Sequence, residues 1–226
     1  IRDRDREWAE KMHEQQVRPY SQYLLAKEGK PYWRLAVLTE EAFEHILRPI
    51  MRKDSLCLAQ KGYEVGLGKF SILKKDSFQG LEERFWTGTD KVHHIDMEFL
   101  TSASFKKNGE YMIFPELPLV FNNLIRKWNV YSDSMVLGEE RLGNKLAESM
   151  CITDYRLHTH PFSVEGRRIR AFRGSIRLGL FKDDITCRMA SMLAAFADYA
   201  GIGIKTAMGM GAVHSDIAYY QKKERL

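Results

Sequence analysis

Residues 93–219 switch between the two hydrophobic periods, 2 for a strand and 3.6 for a helix, and the order of the switches leaves few folds open. Ile95, Met97 and Phe99 alternate with His94, Asp96 and Glu98, the pattern of a half-buried strand. Asn108-Gly109 supplies a hairpin turn before Tyr111 to Phe114. A helix is predicted from Leu117, with Leu117, Phe121, Leu124 and Trp128 on one face and Arg126 and Lys127 off it. Cys151 to His160 and Ile169 to Leu180 read as strands. Asp183 and Asp184 head an amphipathic helix through Ile185, Met189, Met192, Leu193 and Phe196, which Gly201 ends, and His214 to Tyr219 closes the series. Strand, helix, two strands, helix, strand is the ferredoxin-like order.

The first part of the chain shows the same order without an opening strand. Ile1, Trp8 and Met12 mark one stripe of a charged helix that ends before Pro19. Tyr32 to Leu38 is β-rich, Thr39 can cap a helix through Phe43, Ile46, Leu47 and Ile50, and Pro49 should end or kink it. Leu56 to Leu73, interrupted by Gly62, Gly66 and Gly68, reads as a hairpin. The expected architecture is therefore α+β, two tandem ferredoxin-like (RRM-like) domains over residues 1–85 and 91–226. Their boundary falls in 80–92, where Gly80 and Trp86 to Asp90 break both periods, and 133–149 reads as a polar insertion with a short helix. Because the chain opens inside a charged helical pattern, its natural N-terminus is expected upstream of Ile1.

Composition narrows the partners. Apolar residues make up 44% and charged residues 29%, enough hydrophobic side chains to offset the entropy of ordering, which excludes a disordered chain. Thirty-five Lys and Arg against 30 Asp and Glu give +5, basic but far from a histone-like tail. Cys57, Cys151 and Cys187 are too few and too scattered for a disulfide scaffold or a Cys-x-x-Cys knuckle. No run approaches the roughly 20 apolar residues a membrane helix needs. A soluble, cytoplasmic protein with no membrane partner is expected.

Three segments could carry chemistry. Gly201-Ile-Gly-Ile-Lys-Thr-Ala-Met-Gly-Met-Gly211 surrounds Lys205 with glycines at 201, 203, 209 and 211, whose bare backbone could cradle a phosphate. It is neither a P-loop, because Ile204 precedes Lys205-Thr206, nor a Rossmann loop, because it runs from helix to strand; a glycine-rich turn without a ligand fits as well. Arg167, Arg173 and Arg177 fall on one face of a strand from Arg167 to Leu180, opposite Phe172, Ile176, Leu178 and Leu180. That face is either a platform for nucleic acid or an ordinary solvated surface. His13, near Arg18 and Tyr20, could move a proton beside a cation during phosphoester cleavage, or could simply favour a helix C-terminus. His158 and His160 share a strand face but lack a third metal-ligating neighbour.

The sequence resembles the CRISPR repeat-processing endoribonucleases of the Cas-six family, which belong to the repeat-associated RAMP superfamily. The resemblance runs through Met97 to Phe105, Ile113 to Glu116, Leu124 to Trp128 and Phe172 to Ile176, and it is most specific in Ala195 to Gly211, the family's glycine-rich signature. Lys11-Met-His-Glu14 followed by Arg18-Pro-Tyr20 looks like the segment that supplies the family's catalytic histidine. It implies cleavage of repeat RNA by attack of a ribose 2′-hydroxyl, leaving a 2′,3′-cyclic phosphate and a 5′-hydroxyl, with no metal and no cofactor. His13 would be the general base or acid and Arg18 the neighbouring cation, while Lys205 and the loop glycines would hold RNA backbone. The implied partners are the CRISPR repeat transcript and subunits of a CRISPR effector complex, with a homodimer also open. Some relatives only bind RNA, so an inactive repeat-binding subunit is the alternative.

Overall fold

The computed structural model describes residues 6–58, 62–88, 90–139, 141–164, 166–181 and 184–220, without the side chains of Arg6, Ala9, Lys11 and His13. Helix α1 (Arg6–Glu14) buries Trp8 and Met12 against Ala42 and Ile46, and Trp8 stacks on His45 with ring centroids 4.9 Å apart. Ile1, expected on that stripe, and Asp183, expected to cap the last helix, lie outside the described residues. An unexpected strand follows. β1 (Tyr20–Lys27) pairs antiparallel with β2 (Lys30–Val37) through a turn in which Glu28 and Gly29 both have positive φ. Its inward positions are Ser21 and Tyr23, whereas Leu24 is 71% exposed, so hydropathy hides the alternation.

The next helix bends around its proline. α2 (Glu40–Ala42), capped by Thr39 Oγ1, runs into a π turn at Phe43–Leu47 and ends in α3 (Arg48–Ile50). The Arg48 N–H reaches back five residues to Phe43 O. Proline has no N–H to give and its ring crowds the preceding turn, so the helix widens before Pro49 and stops at Ile50. β3 (Ser55–Leu58) and β4 (Tyr63–Gly66) form a shorter hairpin than the sequence suggests.

The stretch expected to break both periods contains a helix, α4 (Phe78–Thr87), whose Gly80 N–H is capped by Ser77 Oγ at 2.9 Å. A Cβ on Gly80 would sit 2.6 Å from Asp76 Oδ1, so a larger residue there would displace that carboxylate, which pairs with Arg84. Leu81 and Phe85 of α4 join the main core.

That core lies under one sheet. β5 (Val92–Ala103) is followed by the small hairpin β6 (Phe105–Lys107) and β7 (Glu110–Met112), then α5 (Leu117–Tyr131) and α6 (Leu142–Ala147). β8 (Met150–Thr159), the hairpin β9 (Phe162–Val164) and β10 (Arg167–Ile169), β11 (Phe172–Leu180), α7 (Asp184–Ala200) and β12 (Val213–Tyr219) complete the chain. The strand order is β12-β5-β11-β8, all antiparallel, the ferredoxin-like sheet. Ile95, Met97, Phe99, Ile176 and Leu178 point from it into the helices. Trp128 is fully buried, edge-on to Phe78 and Phe196 at 5.0 and 5.2 Å, with its Nε1–H donated to Met135 O. Ile185, expected on the apolar face of α7, is 61% exposed in its first turn.

The predicted strand from Arg167 to Leu180 is two strands in two sheets, because among the described residues β10 pairs only with β9 and Arg170-Ala171 belong to neither strand. Among the described residues no helix is long and apolar enough to cross a membrane.

Candidate nucleic-acid interface

The glycine-rich segment is a folded hook. α7 stops at Gly201, whose φ of +64° turns the chain, and a short 3-10 turn, Thr206–Met208, interrupts the path to β12. Ile202 N–H bonds Gly211 O, Gly211 N–H bonds Ser102 O, and Ile204 N–H bonds Ser104 O, so the hook closes on itself and on the end of β5. A Cβ on Gly211 would lie 1.8 Å from Ile202 O, and one on Gly203 would lie 2.3 Å from Ser104 O. These glycines permit close backbone packing. Gly209 differs, since a Cβ there would meet nothing nearer than Phe162 Cζ at 3.9 Å. Lys205 adopts the left-handed conformation at φ +54°, and its Nζ lies 3.7 Å from Met208 Sδ.

Beneath the hook sits a lysine that the sequence pattern places off the apolar face of α5. Lys127 is 4% exposed, and its Nζ donates to Ala200 O and Gly201 O, both at 2.9 Å, and to Thr206 Oγ1 at 3.3 Å. Burial, with a smaller contribution from the Arg126 charge, lowers its pKa to about 7. The sign of the linkage follows. Between about pH 7 and the unfolded value of 10.5 the unfolded chain binds more protons at this site, so Lys127 makes stability rise with pH across that window. The rise should shrink in Lys127→Met when urea unfolding is measured at several pH values.

On one side the hook meets the N-terminal hairpin. Gln22 Nε2 donates to Ala207 O at 2.7 Å, Ser21 Oγ donates to Tyr199 O at 2.6 Å, and Trp33 Nε1 holds Gln22 Oε1 at 2.8 Å. The connector between α1 and β1 is fixed where Tyr131 OH donates to Val17 O at 2.5 Å. Burial pushes the Tyr131 phenol up to about 12, opposed by the Arg18 charge, and Tyr20 is raised by burial and opposed by the same charge. Arg18 also donates to Gln15 O. The backbone of His13 lies in the last turn of α1, and its side chain is outside the described residues.

On the other side the hook meets β9 and β10, through Met210 and Ile204 packed with Ile169, Ala171 and Phe162. Arg167 and Arg168 stand exposed on that hairpin, while Arg170 pairs with Glu110. Arg173 is exposed on β11 opposite His158. Arg177 is held by Asp96 through two bonds, 2.7 and 2.9 Å, which lower the Asp96 pKa. The three predicted arginines therefore do not share one platform. His158 and His160 have ring centroids 6.0 Å apart, and His160 Nδ1 lies 2.7 Å from Ser102 Oγ. Among the described residues no three His, Cys, Asp or Glu side chains gather as a metal site.

A glycine-rich hook fastened between the N-terminal hairpin and the basic hairpin β9–β10 offers backbone and exposed arginines to a phosphodiester strand. Residues 97–213, which include the hook and most of the main sheet, match the family model for the CRISPR-associated endoribonuclease Cas6. The chain belongs to the Cas6 family. A Cas6 from Streptococcus thermophilus is 27% identical over 92% of this chain and 85% of its own length. One from Mycobacterium tuberculosis (strain CDC 1551 / Oshkosh) is 31% identical over 92% of this chain, which spans 66% of that relative. A solved product complex of Thermus thermophilus Cas6 superposes with a TM-score of 0.78 at 22% identity, covering 95% of this chain and 88% of that one. The α+β architecture of antiparallel sheets is thus that of Cas6 structures.

Three residues that fasten the site, Asn123, Lys127 and Tyr131, were not singled out from the sequence. Their four-residue spacing along α5, beside the apolar face of Phe121, Leu124 and Trp128, puts them on one stripe of the helix, but the partners that make the stripe matter lie far along the chain.

Proposed function

We propose that this Cas6 chain cleaves CRISPR repeat RNA without a metal ion, by attack of the 2′-hydroxyl upstream of the scissile phosphate. The O–P bond that forms closes a 2′,3′-cyclic phosphate, and the bond that breaks releases a 5′-hydroxyl. Such a step needs a base for the attacking hydroxyl, an acid for the leaving oxygen and a cation for the developing charge. His13 takes the base or acid role and Arg18 the charge. Lys205 and the open side of the hook at Gly209 hold the backbone together with Arg167 and Arg173, while Gly201, Gly203 and Gly211, whose N–H groups are taken by Ala197 O, Asn123 Oδ1 and Ser102 O, give the hook its shape. Arg177, engaged by Asp96, contributes least. On this reading the partners are the repeat transcript and, after cleavage, subunits of a CRISPR effector complex.

The observation that carries the proposal is that the hook and the connector leaving His13 are both fastened to α5, Lys127 holding one and Tyr131 the other. Labelled RNA of the repeat encoded beside the gene, incubated in excess EDTA, should be cut once per repeat and yield a cyclic-phosphate end. Cleavage that requires a divalent ion would overturn the chemistry, and binding without cleavage would make the chain a repeat-holding subunit.

Salt gives a second check. Four cations on phosphates, Arg18, Arg167, Arg173 and Lys205, imply a slope of roughly −2.8 in log K against log salt for a single strand, so affinity should fall roughly 50-fold from ~50 to ~200 mM salt. A flat response would contradict these contacts.

A further inference from the structure

Asn123, Lys127 and Tyr131 recur every fourth residue along α5, and each bonds the backbone of another segment. Asn123 Oδ1 accepts from Gly203 N–H at 2.9 Å. Lys127 Nζ serves Ala200 O, Gly201 O and Thr206 Oγ1, and Tyr131 OH serves Val17 O. Ala200 and Gly201 stand at the end of α7, where carbonyls have no partner inside the helix, and both residues are buried. Without Lys127 those carbonyls would be buried and unpaired. The hook itself, with glycines at four of eleven positions, has little conformational preference of its own, so its shape depends on donors and acceptors outside it.

We propose that Lys127 is a positioning residue for RNA engagement: it holds residues 201–211 in the shape that grips the strand, and α5 carries that constraint to the connector after His13 through Tyr131. This rests on the RNA-cleaving reading above. The two ends of α5 then act on different steps. Losing the Lys127 end loosens the grip on RNA, and losing the Tyr131 end shifts the catalytic segment against RNA that is still held.

The test uses the full chain with its cognate repeat RNA. Lys127→Met keeps most of the stem and removes the donors; it should raise Kd at least about tenfold and lower the single-turnover rate at saturating RNA far less. Tyr131→Phe should do the reverse, a rate loss of about tenfold with a much smaller change in Kd. Hydrogen exchange without RNA should show Gly203 and Gly211 amides exchanging faster in Lys127→Met, with the amides of β5 unchanged. A folded Lys127→Met with wild-type Kd, or with Kd and rate impaired alike, overturns the positioning role. If Lys127→Met does not fold, Asn123→Ala, which removes only the bond to Gly203, decides: a Kd raised a few-fold supports the role and an unchanged Kd overturns it. Wild-type protein that fails to bind the repeat overturns the RNA reading itself, whereas wild-type binding and cleavage matched by Lys127→Met removes only the positioning role.

Discussion

Replacing His13 with alanine is expected to slow single-turnover cleavage of the repeat by about 10²- to 10⁴-fold, the range for losing a positioned general acid or base, with Kd changed by less than about twofold. The separation follows from where the contacts come from. On the proposed reading RNA is held mainly by the hook and by the β9–β10 hairpin, both in the second part of the chain, whereas His13 lies on α1. The backbone around His13 does not depend on the imidazole. Trp8 and Met12 anchor α1 in one small core, and buried Val17 is fastened four residues later by Tyr131. Alanine is also a better helix former than histidine, so α1 should persist. A quench-flow or gel assay at saturating RNA checks the rate, and filter binding checks the affinity. Undiminished cleavage would remove His13 from the mechanism, and lost binding would make it a contact residue.

The sequence revealed most of the main sheet because the inward positions of its two central strands are apolar. Ile95, Met97 and Phe99 on β5, and Ile176 and Leu178 on β11, leave no ambiguity about period or face. β1 was invisible for the opposite reason, since its buried positions are Ser21 and Tyr23, and Ser21 is buried to bond Tyr199 O rather than to fill a core. α4 was obscured by Gly80, a residue that reads as a breaker but sits in a first turn capped by Ser77 Oγ. Within the site, the hook was legible from composition, but the use of its glycines was not. Which glycine faces a ligand and which faces backbone depends on contacts with Ser104, Ile202 and Phe162, and only Ile202 is a near neighbour in sequence. Lys127 could not be recognised as buried, because the carbonyls that accept from it lie at Ala200 and Gly201. The Arg177–Asp96 pair was not legible either, because Asp96 comes opposite Arg177 only through strand pairing.

Gly211→Ala should cost at least about 2 kcal/mol of stability and abolish tight RNA binding, whereas Gly209→Ala should cost about 1 kcal/mol and still weaken RNA binding. Both positions have positive φ, +66° and +101°, so both substitutions carry backbone strain. Only at Gly211 does a Cβ also meet Ile202 O at 1.8 Å, across the pair of residues whose Ile202 N–H to Gly211 O bond closes the hook. Backbone cannot swing away there as a flexible side chain would, because Gly211 N–H is held by Ser102 O. For a chain of this length, about 2 kcal/mol corresponds to a Tm lowered by roughly 4–8 °C. Gly209 has open space on the Cβ side, which is where a phosphodiester backbone can come close, so its substitution should act on affinity more than on folding. Thermal unfolding and filter binding on the two variants separate the roles. Equal losses of stability would mean that the hook is packed alike at both glycines, and an unchanged Kd for Gly209→Ala would place the RNA elsewhere than on the open side of the hook.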